Sequence, residues 1–222
     1  AGKEGGRSKR IVLVGEATLD DKLYTGGEPS VAEYLDELAG PEWTVELLAR
    51  DGHRIRDVYT QLEQLPEDAA CLLVSVGGND ALEHSYILEN DAGRYHDLLT
   101  ELHRIYTGFV DAYGKLAAAV KRRGLPLILT TIYEGDFGEA EMQKKANTAL
   151  AGFNDAVIRT ALRENVPVIE LREACSEPVH FTQIIEPSAE GGKRFAEMIQ
   201  YVLETHDFEN GGTRIYGWMK NI

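Results

Sequence analysis

Five short runs of nearly continuous apolar residues alternate along the chain with longer stretches in which apolar positions recur every three or four residues. The runs are 10–14 (RIVLV), 44–49 (TVELLA), 70–76 (ACLLVSV), 125–130 (LPLILT) and 166–171 (VPVIEL). Near-continuous hydrophobicity is what a strand covered on both faces requires, and long helical connections favour parallel pairing. The first helix is expected to begin at Ser30, with Glu33 completing a capping box, Val31, Tyr34, Leu35 and Leu38 on its apolar face, and Gly40-Pro41 as its stop. A shorter helix carries Val58, Leu62 and Leu65. The longest runs from about Gly93 to Arg123 through Leu98, Leu102, Ile105, Phe109, Tyr113, Leu116 and Val120, with Gly124 as its exit. A fourth covers 142–164 through Leu150, Phe153, Val157 and Leu162, and a last one starts near Ser188 and buries Phe195, Met198 or Ile199, and Val202.

Strands alternating with helices predict an α/β protein, a three-layer α/β/α sandwich around a mostly parallel five-stranded sheet. Residues 1–9 read as a lead-in, 10–206 as one domain and 207–222 as a C-terminal extension whose Tyr216-Gly217-Trp218-Met219 is a candidate arm, packing flap or homo-oligomer contact. In such a sheet the loops after the strand carboxyl ends share one rim, where ligands bind. Gly15 to Asp20 follows the first run, Asp51-Gly52-His53 the second and Gly77-Gly78-Asn79-Asp80 the third, while Glu186 precedes the last helix and can reach the same rim.

Composition narrows what that rim serves. The 222 residues, 43% of them hydrophobic, suffice for one sizeable core. A net charge of -14, from 37 acidic and 23 basic residues, argues against nucleic acid or an anionic membrane as partner, because phosphate surfaces reward positive stripes. No apolar stretch approaches a membrane span and no basic segment leads into an apolar one at the start, so neither insertion nor a targeting leader is expected. Two cysteines, Cys71 in an apolar run and Cys175 in a loop, make no disulfide framework or zinc cluster, and a reducing cytoplasm is the simplest setting. The glycine pairs Gly26-Gly27, Gly77-Gly78 and Gly191-Gly192 match neither nucleotide fingerprint, and no cofactor is expected.

The rim blocks, taken in order, resemble the SGNH or GDSL hydrolase superfamily of esterases, lipases, thioesterases and carbohydrate acetylesterases. That family's opening Gly-Asp-Ser falls on Gly15-Glu16-Ala17, its second-block glycine on Gly52, and its Gly-x-Asn-Asp on Gly77-Gly78-Asn79-Asp80. Its closing Asp-x-x-His, followed by proline, falls on Gln183-Ile184-Ile185-Glu186-Pro187. The segments GGEP, LLARDG, VSVGGNDAL and IEPSAEGG further resemble a bacterial subgroup with glutamate in place of the closing histidine. The resemblance implies a flavodoxin-like SGNH hydrolase fold, an Ala17 at the nucleophile position, a Gln183 at the orienting position and a Glu186 at the base position. It also implies an oxyanion hole from the Ala17 and Gly52 amides and the Asn79 side chain.

A methyl group has no lone pair, so a covalent acyl intermediate on residue 17 is excluded. Thr18 is adjacent, but side chains of neighbouring residues in a tight loop diverge. Glu186 is either a base for water, an acceptor for a ligand hydroxyl, or a cap for its helix. Asn79 either bridges the loops or binds a ligand oxygen, and Asp80 caps the turn or takes part directly. His53, the only histidine this reading puts on the rim, is a hydrogen-bonded loop residue or a replacement base. Glu16 and Gly78 complete the candidate ligand-binding set with Thr18, His53 and Asp80. The carboxylates Glu16, Asp20, Asp51, Asp80 and Glu186 could converge on a metal, yet their spacing defines no such geometry, and no metal is assigned. Three functions follow: a silent relative binding a small acylated or hydroxylated ligand, a hydrolase using water activated by Glu186, and a scaffold or oligomerisation module.

Overall fold

The computed structural model describes residues 9–89 and 95–218. Six strands form one parallel sheet in the order β2-β1-β3-β4-β5-β8: β1 Lys9–Gly15, β2 Trp43–Leu47, β3 Ala69–Ser75, β4 Leu127–Thr130, β5 Val168–Ile169 and β8 Ile215–Tyr216. The five expected strands are all present. The expectation of five is corrected by β8, which pairs with β5 through Val168 opposite Ile215 and Ile169 opposite Tyr216. A two-residue strand carries no period of its own, so nothing in the tail marks it. Tyr216 is buried, and the Trp218 ring lies 3.9 Å from the Arg194 guanidinium.

Alternation along each strand divides the core into two layers. Ile11 and Leu13 of β1 and Leu73 of β3 face α1 (Val31–Ala39) and α8 (Ala189–Thr205), packing on Val31, Leu35, Phe195 and Ile199. Val12, Val14, Leu72 and Val74 face α2 (Ile55–Leu62), α5 (Tyr95–Lys121) and α6 (Ala140–Glu164), meeting Val58, Phe109, Leu116 and Val157. The capping box of α1 is as expected: Ser30 Oγ accepts from the Glu33 amide and Glu33 returns the bond to the Ser30 amide. Ser188 Oγ caps α8 by accepting from the Gly191 amide, without the reciprocal bond.

Several expected core positions differ. Leu38 and Leu162 are exposed, lying at the edges of stripes whose centres are filled by Leu35 and by Val157 and Ala161. Leu65 falls after α2 ends, and the start of the longest helix at Gly93 lies outside the described residues. The fifth run ends early, because α7 (Leu171–Ala174) starts where the strand was expected to continue, and Cys175 lies in the loop that follows α7, as expected, with its side chain buried. The third-block turn opens directly into α3 (Gly78–Leu82), followed by α4 (Tyr86–Glu89), and a hairpin of β6 (Phe181–Thr182) and β7 (Glu186–Pro187) precedes α8. Among the described residues no helix is long and apolar enough to cross a membrane.

Candidate functional site

The end of β1 must turn sharply against β3, and only glycine permits it. Gly15 has φ +140°, and a Cβ there would stand 1.8 Å from the Ser75 carbonyl oxygen. The turn sends Glu16 across to α3, where its two carboxylate oxygens accept from the amides of Gly78 at 2.8 Å and Asn79 at 3.0 Å. Gly78 is needed for the same contact, since a Cβ would lie 2.7 Å from Glu16 Oε1. Burial pushes the Glu16 carboxyl up to about 8, against the two amides that favour its charge, with Asp80 and Glu186 adding to the rise.

Gln61 of α2, 2% exposed, fixes the other side of the turn. Its Oε1 accepts from the Gly15 amide at 2.7 Å while its Nε2 donates to the Gly15 carbonyl at 2.8 Å. The second Nε2 hydrogen points at His53 Nδ1, 2.8 Å away, which therefore accepts and leaves the proton on Nε2. The His53 carbonyl accepts from Asn79 Nδ2 at 2.9 Å, leaving Asn79 one further N–H. Asp80 accepts from the Ile55 amide at 3.1 Å and so caps α2.

A cavity with about 930 Å³ of atom-free space, part of it open to solvent, starts at this turn. Its polar end is formed by Glu16, Ala17, Thr18, Gly78, Asn79 and Glu186, and its apolar length by residues of α3 to α6, including Leu88, Leu102 and Phe153, with Ile132 from the segment after β4. A second groove shares Leu88, Leu102, Ala149 and Phe153 with it and continues between α5 and α6. Of the expected site residues, Gly52, His53, Asp80 and Gln183 do not line the cavity. Gly52 sits in an exposed turn at φ +78°, and Gln183 is exposed with no side-chain hydrogen bond among the described residues.

Glu186 lies on β7 at the cavity wall, half-buried, and its carboxylate has no hydrogen-bond partner among the described residues. Burial raises its pKa, and Asp51 raises it further. Asp51 in turn receives the Tyr24 hydroxyl at 2.5 Å and donates its own amide to Asp20 at 3.0 Å. The amides of Ala17 and Gly52 have no acceptor among the described residues.

Among the cavity residues that escaped the sequence reading are His84 and Tyr133. His84 also lines the cavity, with a buried Nδ1 lacking a partner and a pKa lowered by burial and then by Arg104, so His53 is not the sole histidine at the rim. Tyr133 stands beside Thr18 and Glu186, and its hydroxyl donates to the Ile185 carbonyl at 2.5 Å. Neither carries a local signal, since each reaches the site only through tertiary packing. Among the described residues no group of three or more His, Cys, Asp or Glu side chains is placed to hold a metal.

Residues 16–194 match the model of the GDSL-like lipase/acylhydrolase family. No curated protein matches the sequence. Among solved structures, an extracellular lipase from Streptomyces rimosus aligns with a TM-score of 0.69 at 12% identity over 87% of this chain and 99% of its own. The lipase Lip_vut3 from a goat rumen metagenome gives 0.69 at 14% identity over 87% and 96%, and a lipase/acylhydrolase from Enterococcus faecalis gives 0.62 at 17% over 88% and 95%. At these identities the likeness is one of fold.

Proposed function

Since the chain belongs to the GDSL-like lipase/acylhydrolase family, we propose that it keeps the family's pocket as a non-covalent binding site for a small neutral acyl ligand. The observation that carries this reading is the combination found at one end of the cavity. An apolar channel leads to the methyl group of Ala17, the Ala17 amide is without a protein acceptor, and Asn79 retains a donor. Such donors suit a ligand carbonyl oxygen, while residue 17 itself offers no nucleophile. Gln183 does not hydrogen-bond Glu186, so the orienting partner of a triad is missing as well. The acidic side chains of Glu134 and Glu186 in the wall disfavour a free fatty carboxylate and favour an ester or amide.

The test is a thermal-shift titration with decanoyl ethanolamide, which carries a neutral carbonyl, a hydroxyl and an apolar chain. A saturable rise in Tm is expected, lost when Ala149→Trp fills the channel. Absence of any response to short, medium and long acyl amides would overturn the proposal.

A second reading is favoured by the free carboxylate of Glu186 and its raised pKa. In it Glu186 takes a proton from water as that oxygen bonds to the ligand carbonyl carbon. The Ala17 amide and Asn79 stabilise the oxyanion, and collapse breaks the ester bond while Glu186 returns the proton to the leaving alkoxide. Ester turnover by the native protein that falls about 100-fold or more in Glu186→Gln would establish this route. Turnover unchanged by that substitution would remove it.

A further inference from the structure

The hairpin carrying Glu186 is closed in an unusual way. Thr182 pairs with Glu186 and Phe181 with Pro187, leaving residues 183–185 to reverse the chain. The Ile185 amide donates to the Gln183 carbonyl at 3.0 Å around Ile184, whose φ is +77°, and Gln183 itself has φ +47°. A bond spanning a single positive-φ residue is a γ-turn of the rare, strained hand. A β-branched residue there is a steric outlier, and Ile184 is 50% exposed, so burial offers little return.

The forces that hold the turn come from one segment after β4. The Asp136 amide donates to the Ile184 carbonyl at 2.7 Å and the Tyr133 hydroxyl to the Ile185 carbonyl at 2.5 Å. Gly135, at φ +71°, admits the close approach, because a Cβ would lie 2.8 Å from the Ile184 oxygen. The next residue along the hairpin is Glu186, whose carboxylate has no hydrogen bond of its own among the described residues. Strain retained beside a functional group is a recognised means of fixing its position.

We propose that Tyr133 is the positioning residue of the site: with the Asp136 amide it holds the strained Ile184 turn, and that turn fixes Glu186 at the cavity wall. Without the hydroxyl the turn relaxes and the carboxylate moves towards water. The inference rests on the reading that Glu186 serves the ligand of this cavity.

Glu186 is faced by Asp51 after β2, Tyr24 after β1, Glu16 at the β1 turn and Tyr133 itself. Its titration therefore reports where its carboxylate sits. The experiment is a carbon-detected NMR titration of the glutamate carboxyls, without ligand, in the native protein, Tyr133→Phe, Ile184→Asn and the double variant. The Glu186 midpoint is expected above the ordinary glutamate range in the native protein and lower by about one pH unit in Tyr133→Phe, as the group regains hydration. Asparagine suits a left-handed backbone, so Ile184→Asn should retain the raised midpoint without losing urea resistance, and the double variant should recover much of the shift. An unmoved midpoint in Tyr133→Phe, or a less stable Ile184→Asn, overturns the proposal. A normal titration pattern with no thermal response to acyl amides overturns the ligand reading instead, so the two failures are distinct.

Discussion

Gln61 grips Gly15 by both ends of its peptide, accepting from the amide at 2.7 Å and donating to the carbonyl at 2.8 Å. That clasp fixes the point where β1 leaves the sheet, and so fixes where Glu16 and Ala17 point. Its remaining hydrogen holds His53, whose carbonyl anchors Asn79. One buried amide thus ties the first, second and third blocks of the site together.

Replacing Gln61 by leucine keeps most of the volume and strands the Gly15 amide in a buried site. Each unsatisfied buried group costs about 1–3 kcal/mol, so urea denaturation should show a loss of about 1–3 kcal/mol. A loss below that of an ordinary surface substitution would show that the clasp is dispensable.

Two glycines of the site should respond differently to alanine. At Gly15 a methyl would collide with the Ser75 carbonyl at the carboxyl end of the β1–β3 pair, and Gly15→Ala should yield no soluble folded protein. Gly52 has φ +78° but open space around its Cβ, so Gly52→Ala should cost only about 1–2 kcal/mol of left-handed strain. Circular dichroism melts of both proteins, with equal effects, would contradict this difference.

Glu16 and Asp21 make stability depend on pH. Glu16 is raised to about 8 and Asp21, buried with Oδ2 lacking a partner, to about 7, in both cases chiefly by burial. The native state keeps protons that the unfolded chain has released, so stability is full in mild acid. It is lost as pH rises from the ordinary carboxyl range through 7 and 8. Each pH unit of displacement is worth about 1.4 kcal/mol per group, and the decline should total a few kcal/mol. The urea midpoint should fall across this window and fall less in Asp21→Asn; a midpoint rising with pH would refute the assignment.

These dependencies explain what was legible in the sequence. The Ser30–Glu33 capping box, the apolar strands and the Gly77-Gly78-Asn79-Asp80 turn are local patterns, and each forms where its residues stand. The direction of Glu16 was not legible, because it is decided by amides more than sixty positions away. Gln61 looks like any polar residue on a helix until β1 is laid beside it. His84 and Tyr133 enter the cavity by packing of α3 and the β4 exit against α5 and α6, for which a single sequence offers no period to read. The β8 strand is set by pairing with β5 alone.

Ala17→Ser would place a hydroxyl beside the unpaired Ala17 amide and the Asn79 donor. Attack on an ester also requires the serine proton to be taken, and the neighbouring groups are poorly suited to that. His53 Nδ1 is committed to Gln61 and lies outside the cavity lining, Gln183 is exposed, and the Glu186 carboxylate has no hydrogen-bond partner among the described residues to stabilise its protonated form. A carboxylate is ordinarily a weaker proton acceptor than imidazole, a gap that the rise imposed by burial and Asp51 narrows. The expected result is hydrolysis of a chromogenic short-chain ester raised by less than about tenfold over the native protein, far below the gain an assembled triad supplies. The same serine should react slowly with a fluorophosphonate, measured as a mass increase of the intact protein. Rapid labelling together with a large gain in turnover would mean that Glu186 or His84 acts as a competent base, and that Ala17 alone separates this chain from conventional acyl transfer.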